Sequence, residues 1–274
     1  SRLSTDVDLH GVKALVSSDP ESIVSERVTR LLRLIRRNWL GVAAGLIVGL
    51  SSVSVAWAIS LAGEFVTMPL ALKSIEDSEG MIASQFPLGP GKWSGDDAEV
   101  IDFPEAKPGH KKALRFLKAQ PDFFEPRAYA SACDVFQIVD VRSVRTQIPR
   151  DHEAVLNLSA DFLDKRPVAG EPVRMGCRMA VFTGDPSRVR NTWPKIQMTQ
   201  ALSSGSDYEW SSGGELGGGR TLQVRSILPP EGDFVVVHLL VYHPPGEQPI
   251  KAVFGDHYVR DVNLSVQIQP VRHH

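Results

Sequence analysis

The histidines are the first residues with chemistry to offer. His238 and His243 bracket an apolar run and His257 follows later. Three imidazoles near one sheet edge could hold a metal. Side chains alternate along a strand, however, so a five-residue separation puts His238 and His243 on opposite faces. The chain has no H-E-x-x-H, no C-x-x-C and no tight His/Cys cluster, so no metal site is expected. Cys177 could be paired formally with a histidine, but nothing marks it as reactive, and no G-x-S-x-G elbow is present. Gly213 to Gly219 is rich in glycine but lacks the Lys-Ser/Thr and the following helix that cradle a phosphate. Asp96 and Asp97 are adjacent carboxylates in a Pro/Gly-rich stretch, where solvation is the default. The expectation is a protein that is not an enzyme and carries no cofactor.

The elements around these residues speak of attachment. From Trp39 to Gly63 the chain reads WLGVAAGLIVGLSSVSVAWAISLAG, with no charge between Arg37 and Glu64. That is long enough for a helix to cross a hydrocarbon core of ~30 Å. Mean hydropathy over the whole chain is only -0.10, so the apolar character is concentrated here. Trp39 and Trp57 lie near its ends, where indoles favour headgroups. Arg27, Arg30, Arg33, Arg36 and Arg37 crowd the near flank, and the far flank is acidic. The positive-inside rule then puts the N-terminus in the cytoplasm and the larger domain in the periplasm, or their organellar equivalents.

Within the span, Gly41, Gly45 and Gly49 recur every fourth residue, and Ser52, Ala56 and Ser60 roughly continue the stripe. Small residues on one face let a second helix approach closely. The span holds no His, Asp, Glu, Lys or Arg, so it offers neither a haem ligand nor an ion path. Before it, Asp19 can cap a helix that Pro20 and Glu21 open well. Ile23, Val24, Val28, Leu31, Leu32 and Ile35 follow at helical spacing. The five arginines and Trp39 could contact anionic lipid headgroups or an acidic partner.

Beyond the span, Phe86 to Lys112 carries much proline and glycine and reads as a linker. Ala113 to Ala119 reads as a short helix. Strand patterns follow from about residue 127: Tyr129 to Val144, Ala154 to Leu163 (which alternates only in part and is open to a short helix), Pro172 to Thr183, Thr221 to Leu228 and Phe234 to Tyr242. The last two flank Pro229-Pro230-Glu231-Gly232-Asp233, read as a hairpin connection. Val262, Leu264, Val266 and Ile268 alternate with Asn263, Ser265 and Gln267, the pattern of a half-buried strand. Ser203 to Gly219, rich in glycine and serine, reads as a flexible loop holding Tyr208 and Trp210. The stretch DKRPVAGEPVRMGCRMAVF, Asp164 to Phe182, resembles the opening strands of an immunoglobulin-like module. That resemblance implies a sandwich and no particular activity. Cys133 and Cys177 are either a single bridge or two buried thiols.

The expected fold is thus a mainly β soluble domain, an antiparallel β-sandwich of immunoglobulin-like cast, on a single N-terminal transmembrane α-helix. Its parts are a polar tail (1–18), a basic amphipathic helix (19–38), the span (39–63), an irregular surface-following segment (64–125) and the β-rich domain (126–274). A net charge of -2 over 274 residues gives no reason to expect nucleic acid as partner. The function expected first is an accessory or assembly subunit of a larger membrane complex, respiratory or photosynthetic, with other transmembrane subunits and lipids as partners. The alternative is a membrane-tethered envelope module that binds polysaccharide, peptide or protein, with Trp93, Tyr208 and Trp210 lining its binding face. A tethered hydrolase comes third.

Overall fold

The computed structural model describes residues 65–103, 111–120, 131–190, 200–214, 218–244 and 252–271. The predicted span, its glycine stripe and the basic helix before it all lie outside these residues. Among the described residues no helix is long and apolar enough to cross a membrane.

Among the described residues thirteen strands form two facing sheets. In chain order they are β1 (Val66–Pro69), β2 (Gly80–Met81), β3 (Ala83–Ser84), β4 (Ser94–Gly95), β5 (Asp97–Asp102), β6 (Lys112–Lys118) and β7 (Ala132–Asp140). After them come β8 (His152–Asp164), β9 (Val173–Phe182), β10 (Ser203–Ser211), β11 (Arg220–Leu228), β12 (Phe234–Tyr242) and β13 (Val253–Pro270). Among the described residues two single-turn α-helices, α1 (Arg142–Arg145) and α2 (Ser187–Arg190), and one 3-10 turn (Ile75–Asp77) interrupt them. The first sheet runs β11-β8-β13-β6-β5-β2, with β1 also paired to β13. The second runs β10-β9-β12-β7-β4-β3. All pairings are antiparallel except β3 with β4.

From β6 on, the chain changes sheet at every connection but one, the β9–β10 hairpin. Two four-strand sheets wound this way make a jelly roll. An immunoglobulin-like module instead puts A, B, E and D in one sheet and C, F and G in the other. The sandwich expectation holds, and the order of its strands is a different one.

Period-2 burial explains the packing. On β9, Val173, Met175, Cys177, Met179 and Val181 face inward, meeting Leu156, Leu158, Phe162 and Val266 of the first sheet in one continuous core. Phe116 and Phe162 stack at its centre with ring centroids 6.3 Å apart. β12 is buried almost throughout. Its outward side chains Phe234 and Val236 join Phe86, Phe136, Ile138, Phe182 and Val189 in a smaller cluster. That cluster covers one half of the second sheet's outer face.

Several local expectations are corrected. Pro229 to Asp233 does not close a hairpin: β11 pairs with β8 in the first sheet, while β12 lies between β7 and β9 in the second. Asp233 pins this crossing by accepting from the Gly184 amide at 2.7 Å and pairing with Arg145 at 2.7 Å. Ala113 to Ala119 is not a helix; it lies mostly in β6, between β5 and β13. The stretch expected to be irregular, 64–125, supplies β1 to β6. Ser203 to Ser211 is the edge strand β10, not a loop.

Candidate functional site

The half of the second sheet's outer face that the Phe86 cluster does not cover gathers unusual side chains. Register places three rows across it. Ser206, Arg178, His238 and Phe136 form one, Tyr208, Gly176, Leu240 and Asp134 the next, and Trp210, Arg174, Tyr242 and Ala132 the last. Strand alternation turns Arg174, Gly176 and Arg178 outward because Val173, Met175 and Cys177 are in the core.

Tyr208 is the hub. The Arg174 guanidinium lies over its ring at 3.9 Å from the centroid, and that of Arg178 at 5.0 Å. Arg178 Nε also donates to the Tyr208 hydroxyl. Trp210 stands beside Arg174, 5.8 Å from ring centroid to guanidinium carbon, and is 50% exposed. Gly176 makes this possible: a Cβ there would sit 2.6 Å from two Tyr208 ring carbons and 3.0 Å from Leu240. Only a bare backbone lets the tyrosine lie down across β9 onto buried Leu240.

Two strands away the face turns acidic. His238 Nε2 donates to Asp134 Oδ1 at 2.7 Å, and its ring stacks on Phe136 at 4.3 Å. Burial holds His238 below the usual imidazole range despite Asp134, so it is neutral at pH 7. Asp96 reaches the same strand: its Oδ2 accepts from the Asp134 amide at 2.8 Å. Gly95 allows the approach, since a Cβ there would fall 2.2 Å from the Asp134 carbonyl oxygen. Burial first, then the Asp134 charge, pushes the Asp96 carboxyl up to about 8. Asp96 is therefore not a solvated linker residue as expected.

A second polar cluster has the residue types of a hydrolase. Asp164 is fully buried and takes the Ser211 hydroxyl at 2.6 Å and the Arg166 fork at 2.6 and 3.0 Å. His257 Nε2 lies 3.7 Å from it, with Nδ1 donating to the Phe254 carbonyl. A nucleophilic serine needs its hydroxyl on the imidazole. Here it points at the carboxylate, so the cluster ties β8, β10 and β13 together and activates nothing.

The sequence candidates fall as follows. Gly41, Gly45, Gly49, Ser52, Ala56, Arg27, Arg30, Arg33, Arg36, Arg37 and Trp39 lie outside the described residues. Cys133 and Cys177 are both buried and free. They face Val241 and Leu239 from opposite sides of β12. Two strand spacings make about 10 Å, more than the ~7 Å a bridge tolerates. His238 is remote from the other two histidines, whose rings instead flank Phe254. Among the described residues no group of three ligating side chains could hold a metal. Trp93 leaves the proposed binding face: it is buried, with its indole N–H on the Lys73 carbonyl at 2.9 Å. Tyr208 and Trp210 do share an outer face. Arg174, Gly176 and Arg178 escaped notice, although their i, i+2, i+4 spacing is the signal of one strand face.

On the opposite sheet, Phe65, Asn157, Gln223, Arg225, Gln267 and Gln269 line an open depression of about 650 Å³. Its amides are partly committed, Gln269 to Glu153 and Asn157 to the Val155 carbonyl.

The fold and this face define a β-sandwich of jelly-roll connectivity with an aromatic and arginine platform. No family model and no curated protein matches the chain. Among solved structures it is similar to TmCBM61, a carbohydrate-binding module solved with β-1,4-galactotriose. That match has 12% identity and a TM-score of 0.36, over 72% of this chain and 98% of that one. A second is the enzymatically active domain of bacteriophage CBA120 tailspike protein 4, at 9% identity and a TM-score of 0.32, over 73% and 19% of the two chains. Likeness at these scores carries no functional argument.

Proposed function

We propose that this protein is a non-catalytic binding module that holds a polysaccharide on the outer face of its second sheet. The observation that carries the reading is the platform itself: a half-exposed Trp210 beside a Tyr208 held flat by two arginines over Gly176. A sugar ring has apolar C–H faces and a rim of hydroxyls. Flat aromatic rings suit the first and fixed guanidinium donors the second. The Phe86 cluster seals one half of this face and, among the described residues, leaves the β9–β10 strip for an extended chain. A span at Trp39 to Gly63 would tether the module to a membrane with this face outside. The accessory-subunit reading rests on residues 1–63 and on an irregular segment over 64–125 that instead supplies β1 to β6, and nothing in the described domain favours it.

The test is a titration of the full chain, in mild detergent, with soluble polysaccharides, read by tryptophan fluorescence and affinity electrophoresis. Truncating an aromatic hot spot costs about 2 kcal/mol or more, so Trp210→Ala should weaken binding about thirtyfold. Gln223→Ala, on the opposite sheet, should leave it unchanged. Equal binding by the two variants, or no binding of any polysaccharide, refutes the proposal.

A further inference from the structure

We infer that the polysaccharide is anionic, carrying carboxylate or sulfate groups that Arg174 and Arg178 receive; this rests on the binding-module reading and names its ligand. Charge pairing elsewhere in the domain sets the contrast. Arg115, Arg142, Arg145, Arg166, Arg220 and Arg260 each have a carboxylate within 4 Å. Arg174 and Arg178 have none among the described residues; Arg150 and Arg225 also have none, but Arg174 and Arg178 sit together on one face of one strand. Their contacts are aromatic instead, and both converge on Tyr208.

A guanidinium lying on a ring is held in place with N–H donors to spare, although Arg178 commits its Nε to the Tyr208 hydroxyl. For Arg174 the stack occupies the π face, and Nε is buried with no acceptor. The fork is thus oriented but not neutralised, an arrangement that favours a planar oxyanion able to take two parallel hydrogen bonds. The carboxylate on the same face, Asp134, is two strands away and already bonded to His238. Asp207 and Glu209 belong to the other face of β10, where Asp207 accepts from the Gln223 amide and Glu209 pairs with Arg220. The β9–β10 strip is therefore cationic, with the Tyr208 ring between the two charges and the Trp210 indole beside Arg174. A neutral glycan would leave both charges partly desolvated and unpaired, which costs free energy. An acidic one supplies the missing partner, and Trp210 takes the sugar's apolar face.

The experiment compares one backbone in two charge states. The full chain in mild detergent is titrated with polygalacturonate and with its methyl ester, then with dextran sulfate, plain dextran and polyphosphate. Loss of one charged contact of 1.5–3 kcal/mol corresponds to a drop of roughly ten- to a hundredfold. Esterification and Arg174→Gln should each produce a drop of that size. Raised salt should weaken the acidic ligand and spare the ester. Arg225→Gln, on the far sheet, should bind as the parent does, and thermal melting confirms that every variant is folded. Preference for dextran sulfate over polygalacturonate would assign sulfate as the group received. Equal affinity for acid and ester, with Trp210→Ala still defective, overturns the anionic inference and leaves the binding-module reading standing. Equal binding of polyphosphate and polygalacturonate, unaffected by Trp210→Ala, refutes the saccharide itself.

Discussion

Replacing Arg166 by Met should unfold the domain's edge through a charge it strands. Asp164 has no exposed side-chain surface, and among the described residues Arg166 is its only cation at hydrogen-bond distance. The guanidinium gives Asp164 two donors, and reaches the Glu171 and Ser211 carbonyls with what remains. In Arg166→Met, Ser211 and the residue 166 amide still donate, but the charge has no counter-ion. Removing one partner of a buried pair costs about 3–5 kcal/mol, and the remaining donors place this case near the lower figure. Acidity supplies a second signature. Burial raises the Asp164 carboxyl, but Arg166, Ser211 and the backbone outweigh it and bring it down to about 2 from 3.8. A depressed carboxylate stabilises the fold above the unfolded value and loses that contribution as pH falls toward 2, about 2 kcal/mol in all. In the variant this contribution is absent, so the gap between parent and variant should narrow in acid. Urea unfolding at pH 7 and pH 3, with Asp164→Asn and the double variant closing the cycle, measures each quantity. A loss below about 1 kcal/mol at pH 7, the size of an exposed pair, or a gap unchanged by pH, would refute the reasoning.

Three further outcomes follow from the same geometry. Gly176→Ala should tilt Tyr208 off β9, costing about 1–3 kcal/mol by overpacking and lowering saccharide affinity more than Gly218→Ala, where the space is open; melting curves and titration report the two effects. Asp96 takes protons in the fold up to about 8 but releases them near 3.8 when unfolded, so stability should fall as pH rises between those values. Asp96→Asn, which keeps an acceptor for the Asp134 amide, should flatten that slope in denaturant titrations at pH 5 and 8. Cys133 and Cys177 are buried and their thiols pushed up by burial above all, so a disulfide-exchange reagent should label neither before urea is added.

Legibility followed periodicity. Val262 to Ile268 alternates in sequence and in burial, because β13 has one face on the core and one facing out. Ala154 to Leu163 and Pro172 to Thr183 were legible as strands for the same reason. Ala113-Leu114-Arg115-Phe116-Leu117-Lys118 misled because all of its residues but Phe116 are good helix formers. Pairing with β5 and β13 overrides that preference by burying Ala113, Leu114 and Phe116. Ser203 to Ser211 misled in the opposite way: an edge strand needs little apolar surface, so serine and glycine do not weaken it enough to forbid it. The proline-rich crossing after β11 has a hairpin's chemistry, and only the partners of β11 and β12 distinguish the two. For the candidate site, Tyr208 and Trp210 were visible as aromatics. Their arginine neighbours come from β9, thirty-odd residues earlier, and only register joins them.

The strand order also dictates when the domain can fold. β12 is a central strand of the second sheet and β13 of the first, yet they are the last two of the described strands. A chain emerging N-terminus first therefore holds β6 to β11 without the strands that join them. β7 and β9 wait on one late arrival, and β6 and β8 on the other. Neither sheet can close, and edges that would otherwise be paired stay open to other chains. Folding is then a single late event, in the slow regime of long-range pairing. A nascent chain that stalls before residue 253 is an aggregation hazard, not a smaller working domain.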